Sequence, residues 1–262
     1  LLYLAVDKDF FPVQDSNVIQ VVTEGPQDIS FTAMAERQQQ LAQALLQDPG
    51  IESLSSFIGV DGVNVTVNSG RILINLPPHD QRDESLFEVM ARLRERAASV
   101  DGISAWFQPV QELTIEDRVS RTQYQFSLTS LDSDALHEWV PQMVAALNAR
   151  PELSEVAADL QQRGMQAYVE IDRDAAARFG LDVTDIANTL YNAFGQRQIA
   201  TLFTQSNQYR VIMEVDPQFA GDPESLQRLF ITTADGSSVP LASVARVQQR
   251  AAPLLINHQG QF

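Results

Sequence analysis

Two stretches of this chain follow the same plan 102 residues apart. Leu45, Pro49, Ile51 and Leu54 recur as Leu147, Pro151, Leu153 and Val156. A proline after a helix is common by itself. Four matched positions in the same β-α-β setting read as an internal repeat. Such a repeat constrains the fold, because each unit of about 100 residues is large enough to be one small domain and needs its own core. The 262 residues, 44% of them hydrophobic, supply that material and set global disorder aside.

The first unit reads through completely. VIQVVT at 18–23 alternates as a strand. Ser30 is placed to cap a helix with Phe31, Met34, Leu41 and Leu45 on one face, and Pro49–Gly50 stop it. Residues 51–58 and 71–77 read as strands. A second helix over about 83–98 carries Leu86, Val89, Met90, Leu93 and Ala97 in one stripe, and ISAWFQ at 103–108 is a fourth strand. The order is β-α-β-β-α-β, the ferredoxin-like pattern.

The second unit starts alike and breaks off. QYQFSLTS at 123–130 alternates as a strand, and a helix over about 132–148 carries Leu136, Trp139, Val140, Met143 and Leu147. Pro141 within it removes a backbone donor and is expected to kink the helix or shift its start. Strands are expected at 153–159 and 165–171. A ferredoxin-like unit then needs a helix and a last strand. Instead a short helix ends at Gly180, and a capped helix starts near Asp182. Strands follow near 196–203, 207–215, 229–233, 238–241, 244–250 and 254–258, with a short helix at about 222–229 and a hairpin turn at ADGS, 234–237. The fold class is therefore α+β: tandem ferredoxin-like units, the second incomplete and interrupted by an inserted α+β module. A fragment of a longer polypeptide is expected. LLYLAV at the start is open to two readings, the tail of a longer apolar segment or an ordinary first strand.

Charge and chemistry narrow the function. A net charge of −16 opposes nucleic acid, whose phosphates need Lys and Arg, and opposes anionic membrane surfaces. The absence of cysteine removes disulfides and thiolate metal sites; it suits an exported protein and many cytosolic ones alike. His79, His137 and His258 are scattered without ligand spacing, so no metal or other cofactor is expected. The acids of DQRDE at 80–84 and EIDRD at 170–174 fall at strand-to-helix junctions, where a helix N-terminus favours negative charge. No nucleophile has a plausible base, and an enzyme reading has little to stand on.

GVDGVNVTVNSG, Gly59 to Gly70, is too long for a tight hairpin. It leads into a strand and lacks Lys, which opposes a phosphate cradle. Only Asp61 is acidic, which opposes an EF-hand calcium loop. Val60, Val63, Val65 and Val67 are out of place in a merely solvated connector. A contact or lid element fits; local packing or a long ribbon of extended strands is the alternative.

Long ordered strings carry a resemblance. FFPVQD at 10–15, RTQYQFSL at 121–128, VEIDRDAAARFGL at 169–181 and LYNAFGQRQIATLFTQSNQYRV at 190–211, with the repeated units, resemble the resistance-nodulation-division (RND) efflux transporters. The MdtB/MdtC-type multidrug pumps are the most similar, the MdtB side more so. The resemblance implies the C-terminal-half periplasmic loop of an inner-membrane protein of a Gram-negative bacterium. Residues 1–10 would end a transmembrane helix or linker, 11–115 form porter subdomain PC1, 116–171 the first part of PC2, 172–250 the docking subdomain DC, and 251–262 start the return to PC2. Such pumps export amphiphilic drugs against a proton flow carried by residues outside this chain. Implied partners are other protomers of a homomeric or heteromeric trimer, a periplasmic adaptor and an outer-membrane channel.

The segment 58–68 then corresponds to the family's switch loop, which separates two drug pockets. Phenylalanines that line the pocket in relatives fall on Ser55, Val60, Gly62 and Leu73 here, with Val65 on the same loop. Trp106 retains an aromatic at a pocket-lining position, with a core tryptophan as the alternative. Phe57 offers another aromatic, unless strand alternation turns it into the core. Arg197, with Phe194, is the candidate for contact with a neighbouring protomer. A stand-alone periplasmic binding or interaction module of tandem ferredoxin-like units is the alternative function.

Overall fold

The computed structural model describes residues 14–60, 66–111, 121–122, 124–153, 155–161, 163–216, 219–220 and 223–257. It divides into two units. One takes in the described residues up to Gly164 with those from Pro253 on; the other is Met165–Ala252. Expectations for residues 1–10, for Gly62 and Val65, and for the last residues from His258 lie outside the described residues.

The first unit is built on strands β1 (Val18–Glu24), β2 (Ser53–Ile58), β3 (Ser69–Asn75) and β4 (Ser104–Pro109), with helices α1 (Phe31–Leu46) and α2 (Leu86–Ala97). The strands form one antiparallel sheet in the order β2-β3-β1-β4, the ferredoxin-like order. Burial in β1 and β3 alternates with period two, so one face is core and the other open. Ile19, Val21, Ile72, Ile74 and Phe107 meet Leu41 and Leu45 of α1 and Leu86, Val89 and Leu93 of α2. Ser30 caps α1, and Ser85 with Glu88 closes a reciprocal capping box on α2.

One position of the expected α1 face is filled differently. Phe31 is exposed; it is the first helical residue, beyond the sheet, with its ring over Gly59. The buried stripe is Met34, Gln38, Leu41 and Leu45. Gln38 is tolerated because Thr23 donates to its Oε1 at 2.7 Å and its Nε2 donates to Ser56 at 3.1 Å.

The repeat is visible in the backbone. Helix α3 (Ser133–Asn148) has the same 16-residue length as α1, and its cap Asp132 corresponds to Ser30. The exits also match. Asp48 and Ile51 donate back to Leu45 and Asp48 at 2.9 and 3.2 Å, as Arg150 and Leu153 do to Leu147 and Arg150 at 3.0 and 3.2 Å. Helix α3 runs unbroken from Ser133 to Asn148 with Pro141 inside it, so the expected shift of its start does not occur.

The rest of the second repeat departs from expectation. The described residues of 123–130 and of 153–159 form no strand, and neither do 254–257. Alternation marks an amphipathic extended chain, but a strand also needs a ladder partner, and none pairs with these segments among the described residues. Tyr124, Phe126, Leu131 and Trp139 stay exposed, and no residue of α3 is buried.

The second unit comprises β5 (Gly164–Ile171), α4 (Arg173–Arg178), α5 (Val183–Phe194), β6 (Arg197–Phe203), β7 (Gln208–Met213), β8 (Phe230–Thr232), β9 (Ser238–Pro240) and β10 (Ala245–Ala252). Strand β5 pairs with β10, β6 with β7, and β8 with β9. Asp172 caps α4, so one acid of the EIDRD cluster has its helix-terminal role. Asp182 and Asp185 form a capping box on α5. Gly236 turns the ADGS hairpin with φ of +85°. Ala176, Leu181, Ile186, Ile231, Leu241 and Val244 make the core.

Candidate functional site

Helices cover one face of the first sheet, and the other carries the site residues. Ser56 points to the helix side, where it binds Gln38, so its neighbours Ser55 and Phe57 lie on the open face. Strand register then builds two rows. Phe57 pairs with Arg71, Arg71 with Val22 and Val22 with Trp106. Ser55 pairs with Leu73, Leu73 with Gln20 and Gln20 with Gln108. Four predicted residues, Ser55, Phe57, Leu73 and Trp106, thus share one face. Phe57 and Trp106 are three strand spacings apart, roughly 14 Å. Phe57 is 41% exposed, with the Arg71 guanidinium 5.1 Å from its ring centre. Alternation has turned it away from the core.

Val60 follows β2 and is 68% exposed, beyond the positive φ of Gly59. The far root of the loop is fixed. Asn68 is buried; its Nδ2 donates to the Gly25 carbonyl at 3.1 Å, and its own carbonyl accepts from Gly25 N–H at 2.8 Å. The root of the long loop is therefore tied to the end of β1.

Trp106 is half-buried and lines two clefts. One, of about 620 Å³, is bounded by Glu24, Gly25, Asp28, Gly102, Trp106 and Arg163 among others. The second, of about 380 Å³, includes Arg94 and Glu155. Arg121 lies 5.8 Å from the Trp106 ring centre, pairs with Glu24 at 2.5 Å and donates to the Ala158 carbonyl at 3.1 Å. Gln161 donates to the other Glu24 oxygen at 3.2 Å. Burial raises the Glu24 carboxyl above its ordinary range, and the Arg121 charge only partly offsets it. Arg94 pairs with Glu155 at 2.6 Å, and Glu155 has a φ of +58°, a conformation that costs a residue with a side chain roughly 1–2 kcal/mol.

Sequence reasoning missed Glu24, Arg71, Arg121 and Gln161. Strand alternation from VIQVVT places Glu24 two residues beyond Val22 on the same face, a signal that was available. Arg121 and Gln161 reach the site from segments without ladder pairing, where no period points the way.

In the second unit, Arg197 donates to Asn192 at 2.6 Å and sits 5.8 Å from the Tyr191 ring centre. Phe194 ends α5 and is exposed. The β6–β7 hairpin beyond them exposes Ile199, Leu202, Phe203, Tyr209 and Ile212. Among the described residues no group of three His, Asp or Glu is placed to hold a metal ion, and no helix is long and apolar enough to cross a membrane.

The chain matches the AcrB/AcrD/AcrF family over residues 1–262 and belongs to it. The RND resemblance is borne out at this level. The fold is similar to that of a heavy-metal efflux pump solved in two crystal forms. Form II aligns with a TM-score of 0.76 at 20% identity, form I with 0.77 at 21%. Each alignment covers 94% of this chain, which spans 26% of the pump's own length.

Proposed function

We propose that this chain is the periplasmic porter and docking region of a proton-driven RND multidrug efflux pump of the MdtB/MdtC type. Residues 11–115 act as PC1, 116–171 as the first part of PC2, and 172–250 as DC, with 251–262 starting the return to PC2. Residues 1–10 end a membrane helix or linker. The region faces the periplasm of a Gram-negative cell. It takes amphiphilic drugs onto the open sheet face and passes them toward an outer-membrane channel held by an adaptor.

The observation that carries this reading is the shared face of Ser55, Phe57, Leu73 and Trp106 beside the cleft. A surface that interleaves aromatic and apolar side chains with polar ones suits amphiphilic ligands. Val60, Gly62 and Val65 belong to the loop that gates this face. Where relatives place phenylalanine, Ser55, Val60, Gly62 and Leu73 leave more room. Arg197 and Phe194 stand at the base of a hairpin whose exposed apolar side chains suit the neighbouring protomer of a trimer.

The test is export of a dye panel by the transporter containing this region, carrying Val60→Phe or Trp106→Ala. Each substitution is expected to shift the order of dyes exported. Unchanged profiles for both would remove these positions from the substrate path.

A further inference from the structure

The Trp106 ring and the Glu24 carboxylate face one cleft, and one cation already satisfies both. Arg121 lies 5.8 Å from the ring centre and 2.5 Å from Glu24 Oε2. Both partners of the ion pair are only 17% exposed, so it is well shielded from solvent. A guanidinium stacked near an indole and bound to a carboxylate is how a protein holds a flat organic cation. Here the cation is the protein's own.

We infer that Trp106 and Glu24 form a binding site for cationic amphiphiles, and that Arg121 is its internal occupant, displaced when a ligand cation enters from the cleft. This rests on the substrate-path reading of the open face and names the ligand charge that the face selects.

Three further observations fit. The cleft of about 620 Å³ is lined by both Glu24 and Trp106, so a ligand there reaches the same carboxylate and ring that Arg121 holds. Its charged lining is Glu24 and Asp28 against Arg163, an acidic balance. Gln161 is 3% exposed and donates to Glu24, while its Oε1 has no hydrogen-bond partner among the described residues. The pull of Glu24 toward protonation, caused by burial, is only partly offset by Arg121.

An internal occupant lowers apparent affinity by the fraction of time the site is free. A site free one tenth of the time binds about tenfold more weakly than the open site. Two probes of equal shape and opposite charge separate charge selection from apolar capture: tetraphenylphosphonium and tetraphenylborate. Both are titrated calorimetrically into the 262-residue chain and into its Arg121→Ala and Arg121→Gln variants. Tetraphenylphosphonium is expected to bind either variant at least about tenfold more tightly than the parent chain. Adding Glu24→Gln abolishes the gain, and tetraphenylborate shows none.

The inference is overturned if affinity for the cation is unchanged, if the borate gains equally, or if the gain survives Glu24→Gln. Should the variants not fold, the parent chain still decides by NMR. Tetraphenylphosphonium must move the Arg121 Nε–H and Trp106 indole N–H signals along one saturation curve; if neither moves, the inference falls. No transport step enters these measurements, so their failure leaves the dye-export test of the porter reading standing, and the reverse also holds.

Discussion

Replacing Asp48 by Asn tests how the helix layer is held under the open sheet face. The Asp48 side chain is 0% exposed. Arg92 grips it with a fork, Nε to Oδ2 at 2.6 Å and Nη2 to Oδ1 at 2.8 Å. Arg96 Nε adds a bond to Oδ2 at 3.2 Å, and Gly50 N–H one to Oδ1 at 2.9 Å. Asn keeps an acceptor at Oδ1 but turns a donor NH2 toward the two Nε donors. Two charge-assisted bonds and the carboxylate charge are lost. Each such bond is worth roughly 1.5–3 kcal/mol when shielded. Both arginines are about a third exposed, so water compensates part of this. The expected loss is about 2–3 kcal/mol, or at ~4 °C per kcal/mol a fall of roughly 8–12 °C in Tm. The Arg92 hydrogen bonds hold the Asp48 pKa below its ordinary 3.8. A lowered carboxylate pKa gives stability that is full above 3.8 and lost as pH falls through the lower folded value. The gap between parent and variant must therefore be wide at neutral pH and close in acid. Trp106 and Trp139, the two tryptophans of the chain, both belong to the first unit, so their fluorescence follows that unit during urea and thermal unfolding. A neutral-pH difference below about 0.5 kcal/mol, or a gap that persists in acid, would refute the reasoning, since surface pairs are often worth no more than that.

The Glu24–Arg121 pair behaves in the opposite sense. A raised Glu24 pKa means stability full below its ordinary 4.5 and lost as pH rises through the folded value, so Glu24→Gln should match or exceed the parent at neutral pH. Arg121→Ala should cost about 1–3 kcal/mol there, because it leaves a shielded carboxylate without its cation; urea unfolding of the two variants in parallel checks the order. Gly70→Ala would put a Cβ 2.7 Å from Thr23 Oγ1 and 2.9 Å from the Phe57 carbonyl. It should lower first-unit stability by about 1–3 kcal/mol, and an unchanged melt would mean that β2 and β3 give way freely. Gln38→Leu removes the acceptor of Thr23 and the donor to Ser56, with an expected loss of about 1–3 kcal/mol by the same fluorescence assay.

The first repeat was legible because its signals agree. Periodicity named Leu86, Val89, Met90, Leu93 and Ala97, and all five are buried. Caps, proline exits and alternation gave the element order, and that order implies the sheet topology. What escaped was the polar stripe residue Gln38, since a helical wheel scores it as surface until Thr23 and Ser56 are known to face it. The second repeat shows the limit more sharply. Its helix and exit turn follow local signals and form with the same length and the same bonds. Its strands need partners distant in sequence, and Tyr124, Phe126 and Leu128 alternate without a ladder to join among the described residues. For the site, the face of Ser55, Leu73 and Trp106 follows from alternation and register. The ion pair behind Trp106 does not, because Arg121 and Gln161 come from irregular segments.

The open face also shows why aromatic count alone misjudges such a surface. Both rings in the Phe57–Trp106 row already carry a guanidinium, Arg71 at 5.1 Å and Arg121 at 5.8 Å from their centres. The ring faces are therefore partly spent on internal cations. The middle of the face is Val22, Leu73 and Gln20, which hold no ring and fix no charge. An apolar body can rest there without displacing anything, whereas a cationic end gains only by exchanging with an arginine. Arg121 is held by Glu24 and the Ala158 carbonyl besides Trp106. Exchange at the Trp106 end thus strips a carboxylate of its partner and invites a replacement of the same charge. On the substrate-path reading proposed above, the Trp106 end would select by charge, and Leu73 and Ser55 by bulk, where a phenylalanine would close the space that an apolar body needs.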